Sequence, residues 1–179
     1  MKFTQTGLPG VILVEPDVHR DARGFFLETF HAARYREGGI GYGFVQDNQS
    51  RSQRGTLRGL HAQRQRPQGK LVRAVRGEIF DVAVDIRPGS PTFGRHVAAR
   101  LSEENFHQLF VPPGFAHGFC VLSEMAEVEY KCTAFYDGKD EIGLRWDTAG
   151  IAWPVAQPLL SPKDAALPSL DELRRSLEP

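Results

Sequence analysis

From Val11 to Phe135 the chain is a succession of short strand-forming runs, each cut off by turn residues before it grows long. The runs are Val11–Val14, Phe25–Phe30, Thr56–Gln63, Leu71–Val75, Glu78–Ile86, His96–Leu101, Gln108–Val111, Gly118–Leu122 and Glu127–Phe135. Regular spacing of this kind predicts an all-β sandwich or barrel. The clearest run is Glu78–Ile86, in which Phe80, Val82, Val84 and Ile86 point one way and Ile79, Asp81, Ala83 and Asp85 the other. One face is core, and the face with two carboxylates lines either solvent or a polar cavity. Turns are expected at Arg76-Gly77, Pro88-Gly89, Pro112-Pro113-Gly114 and, as the strongest hairpin signal, Asp137-Gly138. Helix is confined to a short piece near His31–Glu37 and a C-terminal one opened by a Ser169/Glu172 capping box.

At 179 residues a single domain, residues 1–179, is expected. It is long enough to bury roughly 70% of its unfolded surface and to support a cavity. No apolar run approaches the roughly 20 residues that cross a bilayer, and MKFTQTGLPG lacks the apolar core of a signal peptide. A cytoplasmic protein with no membrane partner is therefore expected. The run Val11–Val14 is expected to offer an exposed sheet edge to a partner chain.

The formal net charge is zero, which argues against bulk attraction to nucleic acid. The charge is unevenly spread. Between Asn48 and Gly77 lie Arg51, Arg54, Arg58, Arg64, Arg66, Lys70, Arg73 and Arg76, with no Asp or Glu. Such a run is either a solvated face or an anion site. Gly55, Gly59, Gly69 and Gly77 break it up, so a small phosphorylated ligand fits better than DNA. Cys120 and Cys132 show no metal spacing and are expected to be reduced core thiols.

In Thr56-Leu57-Arg58-Gly59-Leu60-His61 an extended backbone puts Leu57, Gly59 and His61 on one face, where Gly59 lets something approach beside the imidazole. A second histidine, His117, ends a Pro-x-Gly-x-x-His spacing that is similar to the cupin-type jelly roll. Metal-binding cupins also carry a His-x-His pair, and here the matching place reads His61-Ala62-Gln63. One histidine where two are needed argues against a metal site. A histidine that is not a ligand is free to act as a base near neutral pH. Tyr130 offers a phenol that can donate a proton, and Asp164 a carboxylate that can orient an imidazole.

Several stretches together closely resemble the dTDP-4-dehydrorhamnose 3,5-epimerase family. They are Asp21-Ala22-Arg23-Gly24-Phe25-Phe26-Leu27-Glu28, Gln46-Asp47-Asn48-Gln49-Ser50, Leu57-Arg58-Gly59-Leu60-His61, Gly69-Lys70-Leu71-Val72, Asp81-Val82-Ala83-Val84-Asp85-Ile86-Arg87, Gly114-Phe115-Ala116-His117-Gly118-Phe119 and Ser161-Pro162-Lys163-Asp164. They run in family order over most of the chain.

The resemblance implies a homodimeric, metal-free and cofactor-free cupin jelly roll acting on dTDP-4-dehydro-6-deoxy-D-glucose. It implies His61 as base, Asp164 as its partner, Tyr130 as the acid on the other face of the sugar, and Lys70 as donor to the enolate oxygen. Arg23 and Arg58 are implied pyrophosphate and sugar contacts, Phe26 a further contact, Glu28 a reader of the thymine edge, and Gln46, Asp47 and Asn48 the lining of the site. His117 is implied near the phosphates or sugar, with Asp81 placed to hold its tautomer. Glu141 and Lys163 are implied nucleotide contacts, and Phe135 a stacking partner for the base. Two departures stand out: Ala62 replaces an aromatic after the base, and Phe135-Tyr136 stands where a tyrosine pair is usual. Two other readings remain open: an epimerase acting at C3 or C5 alone, and a non-catalytic cupin that binds a nucleotide sugar.

Overall fold

Alternating side chains can bury both faces of a strand only if the sheets are covered on both sides, and the chain folds accordingly. The computed structural model describes residues 1–178. Its strands are β1 (Lys2–Gln5), β2 (Ile12–Glu15), β3 (Val18–Asp21), β4 (Gly24–Leu27), β5 (Gln46–Gln53), β6 (Leu57–Gln63), β7 (Lys70–Arg76), β8 (Glu78–Asp85), β9 (His96–Ser102), β10 (Gln108–Val111), β11 (Phe115–Val121), β12 (Met125–Cys132) and β13 (Glu141–Gly143). The helices are α1 (Ala32–Glu37), α2 (Pro162–Ala165) and α3 (Leu170–Leu177).

The six-stranded sheet has the order β1-β2-β10-β7-β12-β5 and the five-stranded sheet β13-β6-β11-β8-β9, while β3 and β4 form a separate hairpin. From β5 to β8 the chain changes sheet at every step, and the result is the expected all-β cupin-type jelly roll. Between the sheets lies a core of Val72, Ala74, Leu109, Val111 and Val128 against Ile79, Ala83, Leu101, Phe115 and Phe119. Behind the five-stranded sheet, Val82, Val84, Ile86 and Leu144 meet Leu173 of α3. Outside the six-stranded sheet, Ile12, Val14, Leu71 and Phe110 meet Tyr35 of α1. The carboxylate face of β8 is therefore interior rather than solvated.

Several expectations need correction. Val11–Val14 does not form an edge, because β1 pairs with β2 from Lys2↔Glu15 to Gln5↔Ile12 and covers it. The edges of that sheet are β1 and β5. Asp137-Gly138 closes no hairpin. It sits in a turn, with the Asp140 N–H donating to the Asp137 carbonyl, that carries the chain from β12 in one sheet to β13 in the other. Three cations of the basic run are paired: Arg51 with Glu127, Arg66 with Asp137 and Arg73 with Glu129.

Candidate active site

At one end of the barrel the apolar filling gives way to polar side chains from both sheets, around a cavity of about 270 Å³. The five-stranded sheet contributes His61 and Gln63 from β6 and Glu141 from β13. The six-stranded sheet contributes Gln46 and Asn48 from β5, Lys70 from β7 and Tyr130 from β12, with Tyr136 and Gln68 from neighbouring loops.

His61 is placed by a close approach of two strands. Gly59 has φ +117°, and a Cβ there would lie 2.6 Å from Gly118 Cα and 2.7 Å from the His117 carbonyl oxygen. A Cβ on Gly118 would in turn meet the Arg58 carbonyl oxygen at 2.6 Å. The paired glycines let β6 and β11 touch backbone to backbone beside the imidazole, with His61 opposite His117 in the ladder.

Behind the ring, Ser161 caps α2 by accepting from the Asp164 N–H at 3.0 Å, which turns Asp164 inward. Asp164 Oδ1 lies 2.7 Å from His61 Nε2, and the Gly59 N–H donates to its other oxygen at 3.4 Å. Burial acts to raise the Asp164 pKa, but the hydrogen bonding with His61, Gly59 and Ser161 outweighs it and holds the carboxyl below its ordinary value. A carboxylate fixed on Nε2 sets the tautomer and leaves Nδ1 to take a proton.

A second carboxylate stands at the rim. Glu141 lies 3.8 Å from His61 Nε2, pairs with Lys163 at 2.7 Å and accepts from the Tyr136 hydroxyl at 2.6 Å. Burial again acts to raise its pKa, and Lys163, Tyr136 and His61 overcome it. Across the cavity, burial pushes the Tyr130 phenol up, Cys132, Glu141 and Tyr136 add to that, and Arg58 opposes it, so Tyr130 keeps its proton at neutral pH. Lys70 donates one long bond, 3.4 Å, to the His61 carbonyl, and burial pulls its ammonium pKa down. The wall beside it is held by a chain in which the Tyr136 N–H donates to Gln46, Gln46 to Asn48, and Asn48 to Cys132 Sγ.

The structure therefore brings His61, Asp164, Lys70, Tyr130, Gln46, Asn48 and Glu141 together, with Lys163 at the rim. Arg58 borders them, its side chain donating to Ser52 at 2.9 Å. Other implied contacts lie elsewhere. Asp47 is on the opposite face of β5, as period-two alternation requires, paired with Lys131 and bordering an outer cavity of about 460 Å³ that adjoins the first at Asn48 and Tyr130. Phe135 is 65% exposed outside the cavity, and Tyr136 takes the lining position. His117 is not at the cavity surface but buried behind it, its Nε2 2.7 Å from Asp81. Arg23, Phe26 and Glu28 lie on or beside the β3–β4 hairpin, away from His61: Arg23 pairs with Asp21, Phe26 is 71% exposed and Glu28 pairs with Arg34. Sequence reasoning missed Gln63 as a cavity residue, although it shares the face of β6 with His61 at i+2.

The model of the family described as dTDP-4-dehydrorhamnose 3,5-epimerase matches residues 5–172. The protein of that name from Methanothermobacter thermautotrophicus is 52% identical over 168 residues, covering 91% of each chain. Its namesake from Escherichia coli is 49% identical over 181 residues, covering 98% of this chain and 97% of the other. The crystal structure of dTDP-6-deoxy-D-glucose-3,5-epimerase from Legionella pneumophila in complex with dTDP-4-keto-L-rhamnose superposes with a TM-score of 0.94 at 50% identity, over 99% of this chain and 97% of that one. A 3'-monoepimerase from Streptomyces bikiniensis in complex with dTDP-quinovose shares the fold at 34% identity and a TM-score of 0.90, over 97% of this chain and 91% of that one. The family match spans nearly the whole chain at about half identity to these relatives, and the chain belongs to the dTDP-4-dehydrorhamnose 3,5-epimerase family.

Proposed function

We propose that the protein is an isomerase that inverts C3 and C5 of dTDP-4-dehydro-6-deoxy-D-glucose to give dTDP-4-dehydro-L-rhamnose, acting in the cytoplasm as a single cupin domain over residues 1–179. The observation that carries this reading is the His61–Asp164 pair on one sheet, sharing a small polar cavity with Tyr130 and Lys70 on the other.

A C–H bond α to the C4 ketone breaks, its proton passes to His61 Nδ1, and the electron pair moves to O4 as an enolate. Asp164 stabilises the imidazolium, and Lys70 is the donor toward O4, where one well-placed donor is worth roughly 3–4 kcal/mol. Tyr130 then returns a proton to the same carbon from the opposite face, inverting it. A base and an acid on facing sheets suit inversion, because one fixed group tends to return the proton to the face it left. Gln46, Asn48, Arg58, Glu141 and Lys163 bind the sugar and nucleotide around this centre, with Tyr136 presenting an aromatic face at the rim.

The hairpin carrying Arg23, Phe26 and Glu28 does not reach this cavity within one chain. We therefore read the active species as a homodimer in which each hairpin completes the partner's nucleotide site.

The decisive experiment is proton NMR of dTDP-4-keto-6-deoxyglucose incubated with the protein in D₂O. Deuterium uptake with inversion at both carbons supports the reading. Uptake at one carbon assigns a single-position epimerase, and binding of the nucleotide sugar without any uptake assigns a non-catalytic binder.

A further inference from the structure

Behind the cavity wall the core holds an ionisable group that the mechanism leaves unused. Asp81 lies on β8, 0% exposed, opposite Phe119 of β11. Its Oδ1 is bonded to His117 Nε2 at 2.7 Å, while its Oδ2 is buried without a hydrogen-bond partner among the described residues. A buried acceptor left without a donor costs about 1–3 kcal/mol, and more when charged, so such an oxygen calls for an explanation.

A matching deficit lies across the barrel. The inward residues of β8 are Ile79, Asp81 and Ala83, and they face the six-stranded sheet, whose β7 turns Lys70, Val72 and Ala74 inward. The Lys70 ammonium has three N–H donors and makes a single long bond to the His61 carbonyl. The other acidic groups around it are committed: Glu141 of β13 to Lys163 and Tyr136, and Asp164 of α2 to His61 and Gly59. Cys132 of β12 is held neutral by burial, Tyr130 keeps its proton, and His117 faces Asp81.

We infer that Asp81 is the buried counter-charge of Lys70, meeting it through the free Oδ2 across one water, so that the His117–Asp81 pair is a positioning element for Lys70. Burial acts on both partners toward neutrality, lowering Lys70 and raising Asp81, and each partner's charge opposes that drift in the other. The consequence for turnover rests on the function proposed above, since a neutral amine at Lys70 is a poorer donor to an enolate oxygen. The pairing itself does not depend on that reading.

The test is an NMR titration of the Lys70 side chain, assigned by its absence in Lys70→Met, in the full-length protein and two variants. Asp81→Asn, which keeps a hydrogen bond to His117, is expected to lower the Lys70 pKa by about one unit or more. His117→Gln is expected to move it by less than about half a unit. An unchanged Lys70 in Asp81→Asn, or an equal shift in both variants, overturns the inference and leaves Asp81 as a partner of His117 alone. Should Asp81→Asn not fold, the reciprocal measurement decides: in Lys70→Met the Asp81 carboxyl is expected to titrate about one unit or more higher, and an unmoved carboxyl is the overturning result. In turnover, Asp81→Asn is expected to bring the alkaline limb of kcat to lower pH while KM stays within about twofold. Wild-type protein that shows the titrations but no exchange at C3 or C5 retires the proposed activity and keeps the pairing.

Discussion

At the residue scale the chemistry is divided between groups whose environments push them apart. Asp164 stays ionised because His61 and the Gly59 N–H donate to it beside the Ser161 hydroxyl, and Tyr130 stays protonated because it is buried beside other acidic groups. His61→Ala is expected to lower turnover by about 10²–10⁴-fold while dTDP affinity, measured by calorimetry, stays within a few fold, because base catalysis is lost and the nucleotide contacts remain. Asp164→Asn keeps the shape but frees the imidazole to adopt the wrong tautomer, and a loss of about 10²–10⁴-fold in kcat is expected with little change in KM. Tyr130→Phe separates the two half-reactions. Deuterium exchange at the α-carbons should persist while net inversion is lost, and full epimerisation by that variant would remove the phenol from the mechanism.

Elements differ in how openly the sequence announces them. The run Glu78–Ile86 was legible as a strand because its alternation is strict, and α3 because Ser169 and Glu172 form the capping box seen in the structure. Ser169→Ala is expected to cost about 1 kcal/mol in urea unfolding. The strand β5 was not legible, because Gln46–Gln53 contains no apolar residue; its inward side chains serve the cavity and its outward ones solvent, so function replaces the hydrophobic signal. The residues gathered at the cavity, His61, Lys70, Tyr130 and Asp164, were legible through motif order, whereas Phe135 against Tyr136 is a choice of one residue that only the exit from β12 decides. Where the motif carried Gly59, the structure adds its reason in Gly118. Gly59→Ala, forced into a positive φ and against backbone, is expected to destabilise the fold by about 3 kcal/mol or more.

At the far end of β8, Asp85 accepts from Arg87, Ser90 and Thr92. These bonds outweigh burial, which alone would raise its pKa, and hold it well below the ordinary carboxylate range. A depressed folded pKa contributes stability that is present above the unfolded value and lost as pH falls through the folded one. Asp85→Asn is accordingly expected to lower stability at pH 7 by about 2–3 kcal/mol, with the gap to wild type narrowing below about pH 4 in acid-unfolding curves.

For the molecule as a whole, the proposed sharing of sites between subunits makes a distinctive demand on assembly. If the β3–β4 hairpin serves the partner, subunits carrying His61→Ala and subunits carrying Arg23→Ala with Glu28→Ala should each be nearly inactive alone. Unfolded together and refolded at equal ratio, they should regain about a quarter of wild-type activity, since half the dimers are mixed and each mixed dimer has one intact site of two. No recovery would place the hairpin's contribution within its own chain or nowhere. The two-sheet construction carries a further implication for selectivity. Because His61 and Tyr130 hang from different sheets, the gap between them is governed by sheet separation, roughly 10 Å, a dimension the core sets and the loops cannot adjust. The barrel thus behaves as a thickness gauge: one saturated ring with a group pressed against each side fills the slot, and a bulkier or doubly stacked partner jams it. Substrate choice at the reacting end is then expected to respond to Val72, Ala83 and Phe115, apolar residues of the inter-sheet core that do not line the cavity.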